Sequence, residues 1–508
     1  MWFSKRKANK NEKSGQETPV IRDTSEPSVP INEQSLTQLF KKCTDVKFVS
    51  FNYNEHRVVL FYCIGLISTE ILYRKIPETL EAFFQTLDVK PTKEEILNGI
   101  HLPSFDVVTD SNQVIKDIFA GKLFIDFGIE GSVFSVDICD RPQRNPEETK
   151  TEMSLMGPRD NFIEDITINM ALIRKRLRTT SLVSEPFEIG ERTKTKVALL
   201  YMEDIANDEF LTQLRDKLNS IVIDGLFSGT QLEELLNDQW FTMFPRYYYT
   251  GRPDFAAQSL LNGRFIILID GVSLGYVTPI NMFYLLKSSE DKEYAFAYNS
   301  FERIIRLVGL LVATFLPGIW IALTAFHQNQ LPLTFLATVV ESRRGVPLST
   351  TAEVLLMLLL FELFKEAGLR LPLAVGQTLS VIGGLIIGDA AIRAGLTSPA
   401  TLVVIAGSSV ATFTLINQSL VGTVSLVRFF VILFVSLFGF LGVFISLFFI
   451  LVYLAKIRTF GVPYLEMATR INFVNILRTI VRIPEQKNFK RPSMLNPKDS
   501  TRRDGGAE

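Results

Sequence analysis

The spacing of hydrophobic residues along this chain changes near residue 300. Before that point, apolar runs are short and are separated by polar stretches and turns, as in a water-soluble region. After Arg306 the apolar runs reach about 20 residues, which is the length of a helix that crosses a bilayer. The pattern therefore predicts a soluble N-terminal region followed by an α-helical polytopic membrane domain at residues 299–458.

The soluble region shows the same order of elements twice. A buried strand comes first, a helix follows, and two β-runs joined by a turn end the unit. We therefore predict two tandem, weakly similar α/β units at residues 39–150 and 181–298. The matching segments are residues 57–62, 77–87 and 121–138 in the first unit and residues 196–201, 207–218 and 263–278 in the second.

A linker helix is predicted between the units, at residues 151–180. Phe162, Ile166, Met170, Ile173 and Leu177 recur at steps of three and four residues, which places them on one helix face. Acidic residues precede basic ones along this stretch, and that order complements the helix dipole. The stretch is either a simple connection or a docking surface for another subunit. The candidate linker or interface residues are Gly157, Pro158, Arg159, Arg174, Arg176 and Arg178.

Both ends of the chain are polar. Residues 1–38 are rich in Lys, Glu, Ser, Thr and Pro, so they are predicted to be a disordered tail. They lack the apolar core of a signal peptide, and the soluble region is therefore expected to stay in the cytoplasm. At the other end we predict a post-membrane helix at residues 459–483 and a disordered tail at residues 484–508.

The membrane domain is predicted to cross the bilayer four or five times. Residues 307–326, 399–426 and 429–454 are the candidate spans, and the glycine-rich residues 373–391 could form another. Residues 352–364 carry two glutamates, so this helix enters the membrane partly or crosses it fully. Basic residues flank both ends of the domain, which favours an even number of crossings. The side of the C-terminus stays open.

A stripe of small and polar residues is the strongest functional candidate in this domain. Small residues at four-residue spacing let helices approach closely in lipid. Polar groups in a membrane also line water-filled paths. Both interpretations hold if several copies pack around an axis. The candidates for pore lining or helix packing are Gly376, Gln377, Ser380, Gly383, Gly384, Gly388 and Asp389.

Composition excludes several classes of function. The formal net charge is −1, so no basic field is available to attract nucleic acid. Cys43, Cys63 and Cys139 form no CxxC pair, and the three histidines are isolated, so neither a disulfide framework nor a metal site is expected. No phosphate-binding loop, dinucleotide fingerprint or hydrolase motif occurs, and acidic pairs such as Glu233 with Glu234 fit solvated helix faces. We therefore predict no enzyme activity and no cofactor.

Ordered motifs across residues 45–470 resemble the A subunit of the GerA family of spore germinant receptors. They are residues 157–159 (Gly-Pro-Arg), 172–178 (Leu-Ile-Arg-Lys-Arg-Leu-Arg), 252–254 (Arg-Pro-Asp), 263–264 (Gly-Arg), 269–271 (Ile-Asp-Gly), 322–324 (Ala-Leu-Thr), 326–327 (Phe-His), 343–347 (Arg-Arg-Gly-Val-Pro), 366–372 (Glu-Ala-Gly-Leu-Arg-Leu-Pro), 376–378 (Gly-Gln-Thr), 387–388 (Ile-Gly) and 460–464 (Phe-Gly-Val-Pro-Tyr). Two positions differ from the family pattern. Asp160 stands where Glu is expected, and Arg344 stands where an acidic residue is common.

The resemblance implies a multi-pass receptor subunit in the inner membrane of the dormant spore. Its implied partners are a transporter-like B subunit, which is expected to hold the nutrient, and a lipoprotein C subunit. Together with the polar stripe, it leads to the hypothesis that A-subunit copies form a homo-oligomer around a nutrient-gated ion path. A non-conducting scaffold that relays a signal and a solute-transporter subunit are the alternatives.

Overall fold

The structure is a computed structural model. It describes residues 30–53, 56–85, 91–140, 157–237, 242–370, 388–465, 481–482, 484, 486 and 489–502.

The first α/β unit is a five-stranded antiparallel sheet in the order β1-β2-β4-β5-β3, with helices on both faces. Its strands are β1 Val46–Tyr53, β2 His56–Cys63, β3 Asp106–Val108, β4 Lys122–Asp126 and β5 Val133–Asp137. Its helices are α1 Glu33–Leu39, α2 Ile76–Phe84, α3 Lys93–Gly99 and α4 Ser111–Ile118, with a π-helical turn Ile71–Lys75 before α2.

The second unit repeats this sheet in the order β6-β7-β9-β10-β8, again antiparallel throughout. Its strands are β6 Leu182–Ile189, β7 Thr195–Met202, β8 Tyr248–Thr250, β9 Phe265–Ile269 and β10 Gly275–Thr278, and its helices are α5 Ile166–Arg176, α6 Asp208–Ser220, α7 Gly229–Leu236 and α8 Pro253–Leu261. The prediction of two tandem α/β units is confirmed.

Successive side chains of the central strands explain why helices cover both faces. In β2, Leu60 packs in a cluster with residues of α2 and α3, while Phe61 packs with residues of α1 and α4. In β7, Leu199 packs with α6 and α7, while Leu200 packs with α5 and α8. Because adjacent residues point to opposite faces of a strand, these continuous apolar runs are buried on both sides.

This correspondence changes the interpretation of the linker helix. α5 occupies in the second unit the place that α1 occupies in the first, so it is the first helix of the repeat rather than a separate connection. It is also shorter than the predicted 151–180. The helix begins after Asp165, whose carboxylate accepts hydrogen bonds from the backbone N–H groups of Thr167 and Ile168. The preceding residues 157–164 are not helical.

The remaining helices form one apolar bundle, which we call the helical domain. They are α9 Phe296–Ile321 with a π-helical extension Ala322–Phe326, α10 Leu333–Ser342, α11 Thr350–Arg370, α12 Gly388–Arg393, α13 Pro399–Thr412, α14 Gln418–Phe438 and α15 Phe440–Lys456. Among the described residues, two helices are long and apolar enough to cross a membrane, at Phe296–Phe326 and Gln418–Phe438. The number of crossings stays a prediction.

The predicted single span at residues 429–454 is wrong. α14 ends at Phe438 and α15 begins at Phe440, and Gly439 between them has a φ of 60°. The chain reverses here, since the rings of Phe434 and Phe449 lie 5.7 Å apart. An uninterrupted apolar run thus contains the turn of a helical hairpin, because glycine alone adopts this backbone conformation without strain.

The predicted span at residues 399–426 is also divided. α13 ends at Thr412, and Asn417 caps α14 by accepting hydrogen bonds from the backbone N–H groups of Ser419 and Leu420. Several polar residues of this stretch therefore lie at helix ends, where they satisfy backbone groups, rather than in the middle of one span.

The chain leaves the helical domain on the side where it enters. α9 starts beside the second α/β unit and ends near His327, whose ring lies 6.1 Å from that of Phe440 at the start of α15. α15 then returns to the second unit, where the Tyr453 hydroxyl accepts a hydrogen bond from the backbone N–H of Met243 at 3.0 Å. We call the end that faces the α/β units the near end and the other the far end.

The described residues near both ends of the chain are more ordered than predicted. Leu36 of α1 is buried, although it belongs to the predicted tail 1–38. Leu495 is fully buried, and Lys498 and Asn496 bond the second unit, so residues 489–502 are docked rather than disordered. Of the predicted post-membrane helix 459–483, the first residues form a small hairpin, Arg458–Thr459 with Val462–Pro463, and residues 466–480 lie outside the described residues.

Candidate functional site

Arg174 joins the two α/β units. It lies on α5, is 1% exposed, and donates two hydrogen bonds to the carboxylate of Asp45 in the first unit, at 2.7 and 2.8 Å. It also donates to the carbonyl oxygens of Thr179 and Leu182. Burial alone would raise the pKa of Asp45, but the adjacent guanidinium outweighs burial and holds that pKa below its usual value.

The other linker candidates lie around α5 in different roles. Arg176 pairs with Asp160 at 3.2 Å, which ties the end of the helix to the segment before it. Gly157 is half-buried, whereas Pro158, Arg159 and Arg178 are exposed. Of these candidates, Arg174 is the one that the described contacts place between the units.

The stripe predicted for pore lining or packing is only partly described. Gly376, Gln377, Ser380, Gly383 and Gly384 lie outside the described residues. Gly388 begins α12 and approaches Leu402 of α13, and Asp389 is exposed at the far end in an ion pair with Arg393 at 2.6 Å. The role of the stripe stays a prediction.

A loop of the second unit inserts between the near ends of the hairpin helices. We call residues 242–247 the junction loop. Its Met243 donates its N–H to Tyr453 of α15 and accepts at its carbonyl a hydrogen bond from the Thr423 hydroxyl of α14, at 2.6 Å. Its Pro245 carbonyl accepts from the fully buried Tyr464, at 2.9 Å. One loop thereby contacts both helices and the segment that follows them.

Ion pairs fix the start of α9 to the second unit. Asp291 is buried and forms ion pairs with Arg303 at 2.8 Å and with Arg306 at 2.7 Å. Arg482, after the bundle, donates to the backbone carbonyls of Asp291 and Tyr294. The entry and the exit of the helical domain are therefore held at one place, because buried charges are stable only when they are paired and hydrogen-bonded.

Glu233 of α7 supports the junction loop from behind. It is 8% exposed and accepts hydrogen bonds from the Arg246 backbone N–H, at 3.1 Å, and from the Tyr249 hydroxyl. Burial raises the pKa of Glu233 to about 7, although the Arg246 N–H and guanidinium act to lower it. The prediction that Glu233 belongs to a solvated face is wrong, since α7 buries Glu233 and exposes its neighbour Glu234.

Pro317 creates a polar contact inside the bundle. Proline has no amide hydrogen, so the carbonyl of Ala313, four residues earlier in α9, loses its helical donor. That carbonyl accepts instead from the Ser408 hydroxyl of α13, at 3.1 Å, and from Arg428 Nε of α14, at 2.7 Å. Arg428 also donates to the Thr412 hydroxyl. A buried arginine thus binds three helices together at the proline.

A family model described as Bacillus/Clostridium GerA spore germination protein matches residues 34–494, which is most of the chain. This chain belongs to the GerA family of spore germination proteins. Spore germination protein XA of Bacillus anthracis is 40% identical over 480 residues, which cover 94% of this chain and 98% of that relative. The membrane protein YfkQ of Bacillus subtilis (strain 168) is 30% identical over 493 residues, covering 95% of each chain.

One solved structure also matches: the crystal structure of the N-terminal domain of the A subunit of the Bacillus megaterium spore germinant receptor GerK3. The TM-score is 0.39 and the sequence identity is 26%, and the match covers 50% of this chain and 96% of that one. The prediction from sequence motifs of a GerA-family A subunit is confirmed. The two long apolar helices and the similarity to the membrane protein YfkQ both indicate that this chain is associated with a membrane.

Sequence reasoning on this GerA-family chain missed most of the junction. Met243 and Thr423 carry no motif, and they meet only through the fold. For the polar contact inside the bundle, Pro317 was a usable signal, since a proline within an apolar helix leaves a carbonyl that another residue must satisfy. The buried arginine Arg428 was a second signal, because charged residues inside such a helix face protein partners.

Proposed function

We propose that this chain is the A subunit of a nutrient germinant receptor in the inner membrane of the spore, and that several copies surround an ion path through their helical domains. A transporter-like B subunit and a lipoprotein C subunit complete the receptor. Nutrient binding to the complex changes the soluble units, and the junction transmits that change to the helices. The path then opens and ion release starts germination.

The junction loop carries this proposal. Met243 is hydrogen-bonded to both α14 and α15, and the start of α9 is ion-paired to the same unit through Asp291. A displacement of the second α/β unit therefore moves the near ends of three helices together. Packed helices respond to such a displacement by switching between discrete arrangements, which is how a gate works.

Polar chemistry within the helical domain favours conduction over a purely passive anchor. The hydrogen bonds of Arg428, Ser408 and Thr412 at the Pro317 contact account for those buried side chains, so the preference for conduction rests on the stripe predicted for pore lining. The stripe from Gly376 to Asp389 adds small and polar residues of the kind that line water-filled paths. One such helix from each copy would be needed to surround a path, which is why the proposal requires an oligomer.

The test is to express the complete receptor in growing cells and to record membrane potential while candidate nutrients are added. We expect a nutrient-dependent loss of potential that Gly384→Leu abolishes, because a bulky side chain obstructs the stripe. Gly422→Leu is the matched control, since this glycine is exposed and a Cβ added there has no neighbouring atom within 4 Å. A normal response from the Gly384 variant would contradict the ion path.

A non-conducting relay is the second candidate, and the docked tail favours it. Residues 489–502 hold to the second unit through Lys498 and Asp208, 2.7 Å apart, and enlarge a surface on which other subunits can assemble. A relay requires the junction but no conduction. It therefore predicts that the Gly384 variant leaves nutrient-triggered ion release intact, whereas disruption of the junction stops it.

A further inference from the structure

Glu233 lies directly behind the junction loop. α7 presents its carboxylate to the loop, where the backbone N–H of Arg246 donates at 3.1 Å and the hydroxyl of Tyr249 also donates. The side chain is nearly inaccessible to water, at 8% exposed for the residue. Hydrogen bonds and burial therefore fix this carboxyl in one place.

The groups that face Glu233 offer little countercharge. Within the part of the chain that the structure describes, Arg246 is the one cation that acts on the pKa of Glu233, and neighbouring Glu234 opposes it. Tyrosines supply the rest of the surroundings, and burial raises the pKa of Tyr276 to about 12 and that of Tyr464 well above its usual value. Those phenols therefore stay neutral near pH 7. Among the described residues, the titratable and charged groups around the carboxyl are Arg246, Glu234, Tyr249, Tyr276 and Tyr464.

Ionisation of this carboxyl is consequently poised near neutrality. With a pKa of about 7, the folded protein holds the proton more tightly than the unfolded chain does. The unfolded value is near that of free glutamate, so folding is penalised as pH rises from about 4.3 toward 7. Above that range the full penalty acts on the contact between α7 and the junction loop, because a buried, incompletely balanced charge gains hydration if the contact opens.

The same loop is attached to the helical domain. Met243 is hydrogen-bonded to Thr423 and Tyr453. Two residues later, the Pro245 carbonyl accepts a hydrogen bond from the Tyr464 hydroxyl. The next residue, Arg246, donates its N–H to Glu233. A change in how firmly Glu233 holds the loop therefore reaches α14 and α15 through the short backbone segment from Arg246 to Met243.

We propose that Glu233 is a proton-binding site which sets how tightly the junction loop is held against the second α/β unit. The neutral carboxyl holds the loop, and loss of the proton loosens it. The ligand of the site is a proton, so the device makes the coupling between soluble units and helices sensitive to pH. It goes beyond the proposed ion path and does not require one, because the contact exists whether or not the helices conduct.

Hydrogen–deuterium exchange of the full chain in membranes tests this site. The observable is protection of the segment that contains the Arg246 amide, corrected for the intrinsic pH dependence of exchange. We expect wild-type protection to fall by roughly tenfold between about pH 6 and about pH 8, as ionisation removes on the order of one pKa unit of stabilisation. Glu233→Gln, which imitates the neutral form, should show constant protection. Glu234→Gln should keep the pH dependence with its midpoint at lower pH, because the charge of Glu234 raises the pKa of Glu233.

Tyr249→Phe provides a second reading that does not depend on removing the carboxyl. The tyrosine hydroxyl stabilises the carboxylate, so its loss should raise the pKa and move the midpoint of the protection change to higher pH by about half a unit or more. Wild-type protection that is independent of pH would overturn the proposal, as would a pH dependence that persists in Glu233→Gln. Because the readout is the loop and not conduction, it separates failure of this site from failure of the ion path.

Discussion

At the scale of single residues, the contact between Arg174 and Asp45 shows why a buried ion pair is needed once it has formed. Both side chains are nearly inaccessible, with 2% and 4% of their surfaces exposed. The two bonds between them, with the carbonyl groups of Thr179 and Leu182, satisfy most of the guanidinium donors. Removing one partner leaves the other charge buried without compensation, which costs more than the pair contributes.

We predict that Asp45→Asn lowers the stability of the soluble region by about 3–5 kcal/mol, the usual cost of breaking a buried pair. Asp224→Asn is the control, because its pair with Arg192 is exposed and long, at 3.7 Å; it should change stability by less than about 0.5 kcal/mol. Urea unfolding of the purified full chain, followed by fluorescence, measures both. Equal midpoints for the two variants would show that the buried pair does not hold the units together.

The sequence indicated Arg174 but could not indicate its partner. Arg174 was a candidate because it opens the basic run at the end of the predicted linker helix, whereas Asp45 lies 129 positions earlier in the chain. Glu233 was misjudged for a related reason. Its neighbour Glu234 makes the pair look solvated, but helical geometry turns adjacent side chains about 100° apart and buries only one of them.

At the scale of elements, Gly439 decides how the most apolar part of the chain folds. Its φ of 60° belongs to the left-handed region, and a Cβ placed there would lie 2.9 Å from Cγ of Phe326. Two requirements, backbone conformation and close approach, thus converge on one residue. The helical hairpin of α14 and α15 depends on it, and so does the return of the chain to the near end.

Gly439→Ala should therefore destabilise the helical domain by about 1–2 kcal/mol for the backbone and about 1–3 kcal/mol more for crowding against Phe326. Gly345→Ala isolates the backbone effect, because Gly345 has a φ of 90° but nothing within 4 Å of its Cβ position. Thermal unfolding of the detergent-solubilised protein should rank wild type above Gly345→Ala and Gly345→Ala above Gly439→Ala. If the two variants unfold at the same temperature, the close approach of Gly439 to Phe326 does not contribute to the stability of the helical domain.

Periodicity alone could not divide the apolar region correctly. Residues 429–454 contain no charged residue to mark a helix end, and the one glycine that reverses the chain is indistinguishable from those that serve packing. Soluble elements were predicted better, because short strands and helices are separated by polar turns. β6 was missed for the opposite reason, since Glu185, Pro186 and Glu188 make an edge strand resemble a loop.

At the scale of the whole molecule, the duplicated α/β unit was predictable from the order of strand, helix and hairpin. The structure adds that α1 and α5 open equivalent repeats and that the two sheets share one strand order. The meeting of distant segments was not predictable. The docked tail and the loop at Met243 join residues hundreds of positions apart, and a single sequence holds no signal for such contacts.

The molecule as a whole is arranged so that the second unit touches every part. It contacts the first unit through Arg174, the start of α9 through Asp291, and the hairpin helices through Met243. The tail returns to it as well, with Asn496 accepting a hydrogen bond from Asn207. Any signal that passes between the first unit and the helices within the described chain therefore passes through the second unit.

The most direct test of the account is nutrient-triggered loss of membrane potential in cells that carry the complete receptor with Thr423→Val and Tyr453→Phe combined. These changes remove both hydrogen bonds to Met243 and keep the shapes of the side chains. Ser436→Ala, which removes a hydroxyl bonded only within α14, is the control among the described contacts. We predict that the double variant assembles normally and responds at least about tenfold more slowly, as a loss of about 1.4 kcal/mol in coupling requires. A response at the wild-type rate would contradict coupling through the junction.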